Sequence, residues 1–109
     1  MMVYIKGGII MFLYINGEKF HGENKKECIM KFLKQPYTSG EDDRIIEEVY
    51  RRASEFIINN YELGDDIDFC EFYEAHITDD IITNCFLDLI ESNPIKYRDI
   101  KFGEYKNRR

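Results

Sequence analysis

The chain has 109 residues and a formal net charge of −6, from 15 Lys and Arg against 21 Asp and Glu. That length is one domain, able to bury a core without disulfides or metals to hold it, and eight Phe with eight Tyr exclude a disordered composition. The negative balance excludes a nucleic-acid binder that works by neutralising phosphates, and no apolar run approaches the ~20 residues of a membrane-spanning helix.

At the start of the chain two readings stand side by side. Lys6-Gly7-Gly8-Ile9-Ile10-Met11 can be encoded by a purine-rich ribosome-binding site, a short spacer and a start codon, which would make residues 1–10 a translated leader and Met11 the native start. Alternatively Gly7-Gly8 is a turn joining strands Val3–Lys6 and Ile9–Ile15. Residues 11–109 form a single domain in either case. No small-residue cleavage site follows the apolar Ile9–Ile15 run, which argues against a signal peptide.

Met11–Ile15 is strongly β-prone. Asn16-Gly17 is the preferred pair for a type I′ hairpin, so Lys19–His21 is expected to return as a second strand. Lys25–Lys34 places Cys28, Ile29, Phe32 and Leu33 on one helical face and its lysines largely on the other. Gln35-Pro36 ends that helix, and Tyr37–Gly40 is a loop. The longest helix is expected from Asp42 to Asn60, with Ile46, Val49, Tyr50, Ala53, Phe56 and Ile57 as its apolar stripe and acids in its first turn. Ile67–His76 suits a helix better than a strand. Thr78 or Asp79 can cap a further helix bearing Ile82, Cys85, Phe86 and Leu89, and Asn93-Pro94 stops it. Ile95–Phe102 is expected to be a strand returning to the N-terminal hairpin. This order predicts an α+β fold in which a small antiparallel sheet, the hairpin plus a C-terminal strand, packs against three to four helices. Ile46, Val49, Phe56, Ile57, Ile82, Phe86 and Leu89 are the expected core.

The strongest departure from an average composition is the distribution of charge. From Ala53 to Ile95 there is no lysine or arginine, while acids recur throughout that stretch and most positive charge lies on either side of it. A one-signed surface steers partners of opposite sign. Its solvated-surface reading is that it keeps the domain soluble. Its functional reading is that Glu62, Asp65, Asp66, Asp68, Glu71, Glu74, Asp79 and Asp80 bind a basic protein surface, with no direct contact to nucleic acid or membrane.

Chemistry-bearing motifs are sparse. Three widely spaced cysteines without a Cys-x-x-Cys point to a reducing cytosol and to no disulfide framework. Cys28 and Cys85 lie on apolar faces, the ordinary place for a buried thiol. Cys70 and His76 are the one nucleophile–base pairing in range, and only folding could join them. Ile67-Asp68-Phe69-Cys70-Glu71-Phe72 resembles the exit half of an EF-hand calcium loop. The resemblance implies a divalent-cation module using Asn60, Glu62, Asp68 and Glu71. The chain departs from the pattern at the first position, where Asn60 replaces Asp, at the fifth, where Gly64 offers no side-chain oxygen, and at the sixth, where Asp65 replaces Gly. No zinc-ligand spacing occurs. The expectation is a non-enzymatic protein without cofactor or metal, with the cation module or a small enzyme as alternatives.

Isoleucine, lysine, asparagine and tyrosine are heavily used, whereas alanine occurs only at Ala53 and Ala75. That bias follows AT-rich coding and fits a low-GC bacterium, its phages or its mobile elements. Small size, acidity, AT-rich usage and the lack of catalytic motifs together resemble phage-encoded inhibitors of bacterial defence nucleases, of the anti-CRISPR or anti-restriction type. The resemblance is carried by composition, so no residue roles transfer. It implies a DNA mimic acting in the host cytoplasm, whose carboxylates compete for the basic lining of a nuclease.

Overall fold

The computed structural model describes residues 9–62, 64 and 66–106. The expected strand Val3–Lys6 and the Gly7-Gly8 turn lie outside them. The fold is α+β, in the order β1 (Ile9–Ile15), β2 (Glu18–Gly22), α1 (Lys25–Leu33), α2 (Gly40–Asn60), α3 (Phe69–His76), α4 (Asp79–Ser92) and β3 (Lys101–Lys106). The sheet is antiparallel in the order β2-β1-β3, so the first strand becomes the central one.

The hairpin forms as its turn residues dictate. Asn16 and Gly17 both take positive φ, at 51° and 87°, the pair of left-handed conformations that a type I′ turn needs and that Asn and Gly tolerate best. Ile15 faces Glu18 across the turn, and the register continues to Met11 opposite Gly22. On its other edge β1 pairs with β3, Phe12 opposite Gly103 and Tyr14 opposite Lys101. Alternation then sorts β1: Leu13 and Ile15 are fully buried, while Tyr14 is exposed. On the outer face Phe12 lies over Gly103, where an added Cβ would stand 2.3 Å from the ring. The ring thus covers backbone that a glycine strand leaves bare.

Local signals fix each helix start. Asn24 caps α1 by accepting from the Glu27 amide at 2.9 Å, and Glu27 reaches back to the Glu23 amide at 3.0 Å. Ser39 accepts from the Asp42 amide and Thr78 from the Ile81 amide, each at 3.2 Å. These bonds satisfy amides that the first helical turn leaves open.

The core lies between the inner face of the sheet and the three helices α1, α2 and α4. Phe20, Phe32 and Phe86 run through it as successive edge-to-face contacts, with centroids 5.5 and 6.0 Å apart. Cys28 and Cys85 are buried as expected, and burial raises the pKa of both thiols. Asp42 is the buried carboxylate, only 3 % exposed. Its oxygens accept from Asn16 Nδ2 in the hairpin turn and from Gln35 Nε2, at 3.3 Å, just beyond α1. One carboxylate therefore ties the turn, the end of α1 and the start of α2 together.

Two expectations need correction. Phe56 is 42 % exposed, and Ile45 takes the place assigned to it in the core. The buried line of α2 is Asp42, Ile45, Val49, Ala53 and Ile57, rotated from the stripe centred on Ile46 and Tyr50, which are only half-buried. The C-terminal strand also starts later than Ile95. Residues 94–99 are a turn, closed by Tyr97 N–H donating to Asn93 O and Ile100 N–H to Tyr97 O, both at 3.0 Å. Pro94 fixes φ in a helix-compatible range and so favours a turn over a strand.

Candidate functional site

The acidic stretch occupies the C-terminal end of α2, the connection after it, α3 and the first turn of α4. Tyr61 ends α2, its amide donating to Ile57 O at 3.0 Å, and Asn60 folds its side chain back onto Phe56 O at 2.8 Å. Asp68 stands at the N-cap of α3 but its carboxylate makes no capping bond. The carboxylate faces solvent.

α3 has eight residues and packs chiefly on α2. Its one fully buried side chain is Phe72. His76 at its last turn stacks flat on Tyr61, centroids 4.0 Å apart and planes 18° apart, and meets Phe72 edge-on at 4.9 Å. Burial also raises the pKa of the Tyr73 phenol. These rings form a small satellite core that fastens α3 to the far end of α2.

Around that satellite the surface is both acidic and apolar. Glu62, Asp66, Asp68, Glu71 and Glu74 are exposed, and among the described residues none of them has a Lys or Arg partner. Interspersed with them in the same stretch are exposed Phe56, Tyr61, Ile67 and Phe69. Asp65 lies outside the described residues. Asp79 and Asp80 are exposed on the first turn of α4, but Asp80 is bound to Lys26 Nζ of α1 at 3.0 Å. That bond is the main reason the lysine pKa is raised. Part of the expected acid block is thus neutralised, and its open part is the α3 end.

The helix–loop–helix context of the EF-hand resemblance is present, since α2 ends at Asn60 and α3 begins at Phe69. Among the described residues, however, no group of three or more His, Cys, Asp or Glu side chains is gathered to hold a metal ion. Cys70 is exposed while His76 is engaged by Tyr61 and Phe72. Six residues at ~100° each put the two on different sides of α3. No helix among the described residues is long and apolar enough to cross a membrane.

One constellation was not visible in the sequence. Arg44, Lys96 and Lys101 line a groove of about 860 Å³ at the opposite end of α2, together with Tyr14 and Tyr97. No motif marks it, because its residues come from distant segments. Comparison of the chain with family models, with curated proteins and with solved structures finds no match.

Proposed function

We propose that this is a small non-catalytic binding protein whose α3 end docks on a basic protein surface. In its specific form it is a phage or mobile-element inhibitor that covers the nucleic-acid-binding surface of a bacterial defence nuclease, acting in the host cytoplasm. The observation that carries this reading is the composition of the α3 surface: Asp66, Asp68, Glu71 and Glu74 without ion-pair partners among the described residues, beside exposed Ile67 and Phe69. Uncompensated carboxylates speed encounter with a cationic partner and select against anionic ones. Exposed aromatic and aliphatic side chains supply contact area once the surfaces meet, as at interface hot spots. This refines a pure phosphate mimic, whose surface would be carboxylates alone. Asp80, held by Lys26, contributes less than the α3 acids.

The test is inhibition of DNA cleavage by a panel of purified CRISPR effector and restriction nucleases. The wild-type chain is expected to inhibit at least one, and to lose potency steeply as salt rises, since exposed charges are screened beyond about 8 Å at physiological ionic strength. Reversing Asp66, Glu71 and Glu74 to Lys should abolish inhibition, and Phe69→Ala should weaken it with little change in salt dependence. Melting of each variant near wild type would show that the fold is intact. Undiminished inhibition by the reversed variant, or no inhibition across the panel, would sink the proposal.

A further inference from the structure

Four segments that are distant in sequence meet at the N-terminal half of α2. The hairpin contributes Tyr14 and Asn16, α2 contributes Arg44 and Ile45, α4 contributes Leu89, and the turn before β3 with the first residue of that strand contributes Lys96, Tyr97 and Lys101. Buried Ile45 and Leu89 contribute the apolar part of its lining. Tyr14 and Lys101 are cross-strand partners, so the strand pairing itself sets an aromatic ring beside an ammonium. Lys96 Nζ sits over the Tyr97 ring, 5.4 Å from its centroid.

The groove is lined by four cations, Arg44, Arg52, Lys96 and Lys101, and three acids, Glu41, Glu48 and Asp99, a small positive excess in an acidic chain. Glu48 also lines it, but its carboxylate accepts from Arg51 and Arg52 and is compensated. Among the described residues Arg44, Lys96 and Lys101 have no acidic partner within 4.0 Å. Glu41 and Asp99 are the remaining acids on its wall. Three cations without an acidic partner among the described residues are thus gathered along one groove of a chain of net charge −6. Cations beside tyrosines, with buried apolar side chains in the lining, match a ligand with a phosphate and a flat ring. The volume of about 860 Å³ falls in the range of ~300–1,000 Å³ typical of small-molecule sites. A long polyanion would be repelled by the acidic remainder of the molecule, whereas a small one need only enter the groove.

We infer that this groove binds a small phosphorylated ligand of the mononucleotide class, its phosphates on Arg44 and Lys101 and its ring against Tyr97. The site lies at the end of α2 away from α3 and stands independently of the docking surface there.

Calorimetric titration of the full chain tests this, with ATP, inorganic phosphate and adenosine as separate probes and no divalent cation. ATP is expected to bind saturably in the micromolar range, more tightly than either fragment. Arg44→Gln with Lys101→Gln should weaken ATP about 10-fold or more, the usual consequence of losing charge-assisted hydrogen bonds. Tyr97→Ala should weaken ATP without affecting phosphate. If the double variant melts early, Arg44→Gln alone, at an exposed position on α2, carries the same test. Absence of saturation at millimolar ATP, or equal affinity in wild type and variants, would overturn the inference. Equal binding of phosphate and ATP would also overturn it, by removing the ring from recognition. Reversal of Asp66, Glu71 and Glu74 should leave ATP binding in place, so failure at one site is distinguishable from failure at the other.

Discussion

The two ends of α2 carry the same kind of side chains and put them to different use. In the N-terminal half, Ile45, Val49 and Ala53 are buried against the main core, and Asp42 is locked by the hairpin turn and by Gln35. At the C-terminal end only Ile57 is fully buried, while Phe56 and Ile58 are 42 % and 54 % exposed. The main partner of α2 is α4, and the short α3 packs on it besides. An amphipathic helix buries only the part of its apolar arc that a neighbour reaches. The overhanging remainder, flanked by acids, is surface that a partner can use.

A pair of side-chain truncations tests this difference. Phe86→Ala removes a fully buried ring from the centre of the core and should cost about 3–5 kcal/mol. With total stability of roughly 5–15 kcal/mol, that is a large share of what holds the fold. Phe56→Ala at the overhang should cost about 1 kcal/mol or less, because half the ring is already in water. Urea unfolding of both variants checks this. Similar losses would mean that the C-terminal end of α2 is as well covered as its middle.

Carboxylates should divide in the same way, with a smaller spread. Asp42→Ala removes the buried acceptor shared by Asn16 and Gln35 and should cost about 1–2 kcal/mol. Asp66→Ala on the open surface should change stability by less than about 0.5 kcal/mol. Equal effects would show that Asp42 is not the tie it is taken to be.

The smallest expected effect depends on pH. Glu48 is held below the usual carboxylate range, chiefly by its hydrogen bond from Arg51, opposed by partial burial and helped by Arg52. A carboxylate whose pKa is lower folded than unfolded stabilises the fold when ionised, so its contribution is complete at neutral pH. It is lost as pH falls below about 4 and through the folded-state value. The pair is about half-exposed, so the contribution is only a few tenths of a kcal/mol to about 1 kcal/mol. Glu48→Gln should be less stable than wild type by that amount at pH 7, with the difference vanishing in acid. A difference that persists at pH 2 would assign the effect to packing instead.

What the sequence determined by itself was mostly local. Asn16-Gly17 specified the hairpin because few residues accept two consecutive left-handed conformations, and Thr78-Asp79 marked the start of α4, where the structure gives the capping bond to the Thr78 hydroxyl. The acid run was legible because it is contiguous, and its place at the α3 end followed from that. Tertiary structure decided the rest. Adjacent residues on a helix differ by about 100°, so the broad apolar arc of α2 allowed either Ile45 or Ile46 to face inward until the position of α4 chose. Packing of α1 on α4 brought Lys26 to Asp80 and divided an acid block that reads as uniform in one dimension. The groove of Arg44, Lys96, Lys101, Tyr14 and Tyr97 exists only because β3 pairs with the first strand beside α2. No spacing along the chain can reveal a site whose members are joined by strand pairing.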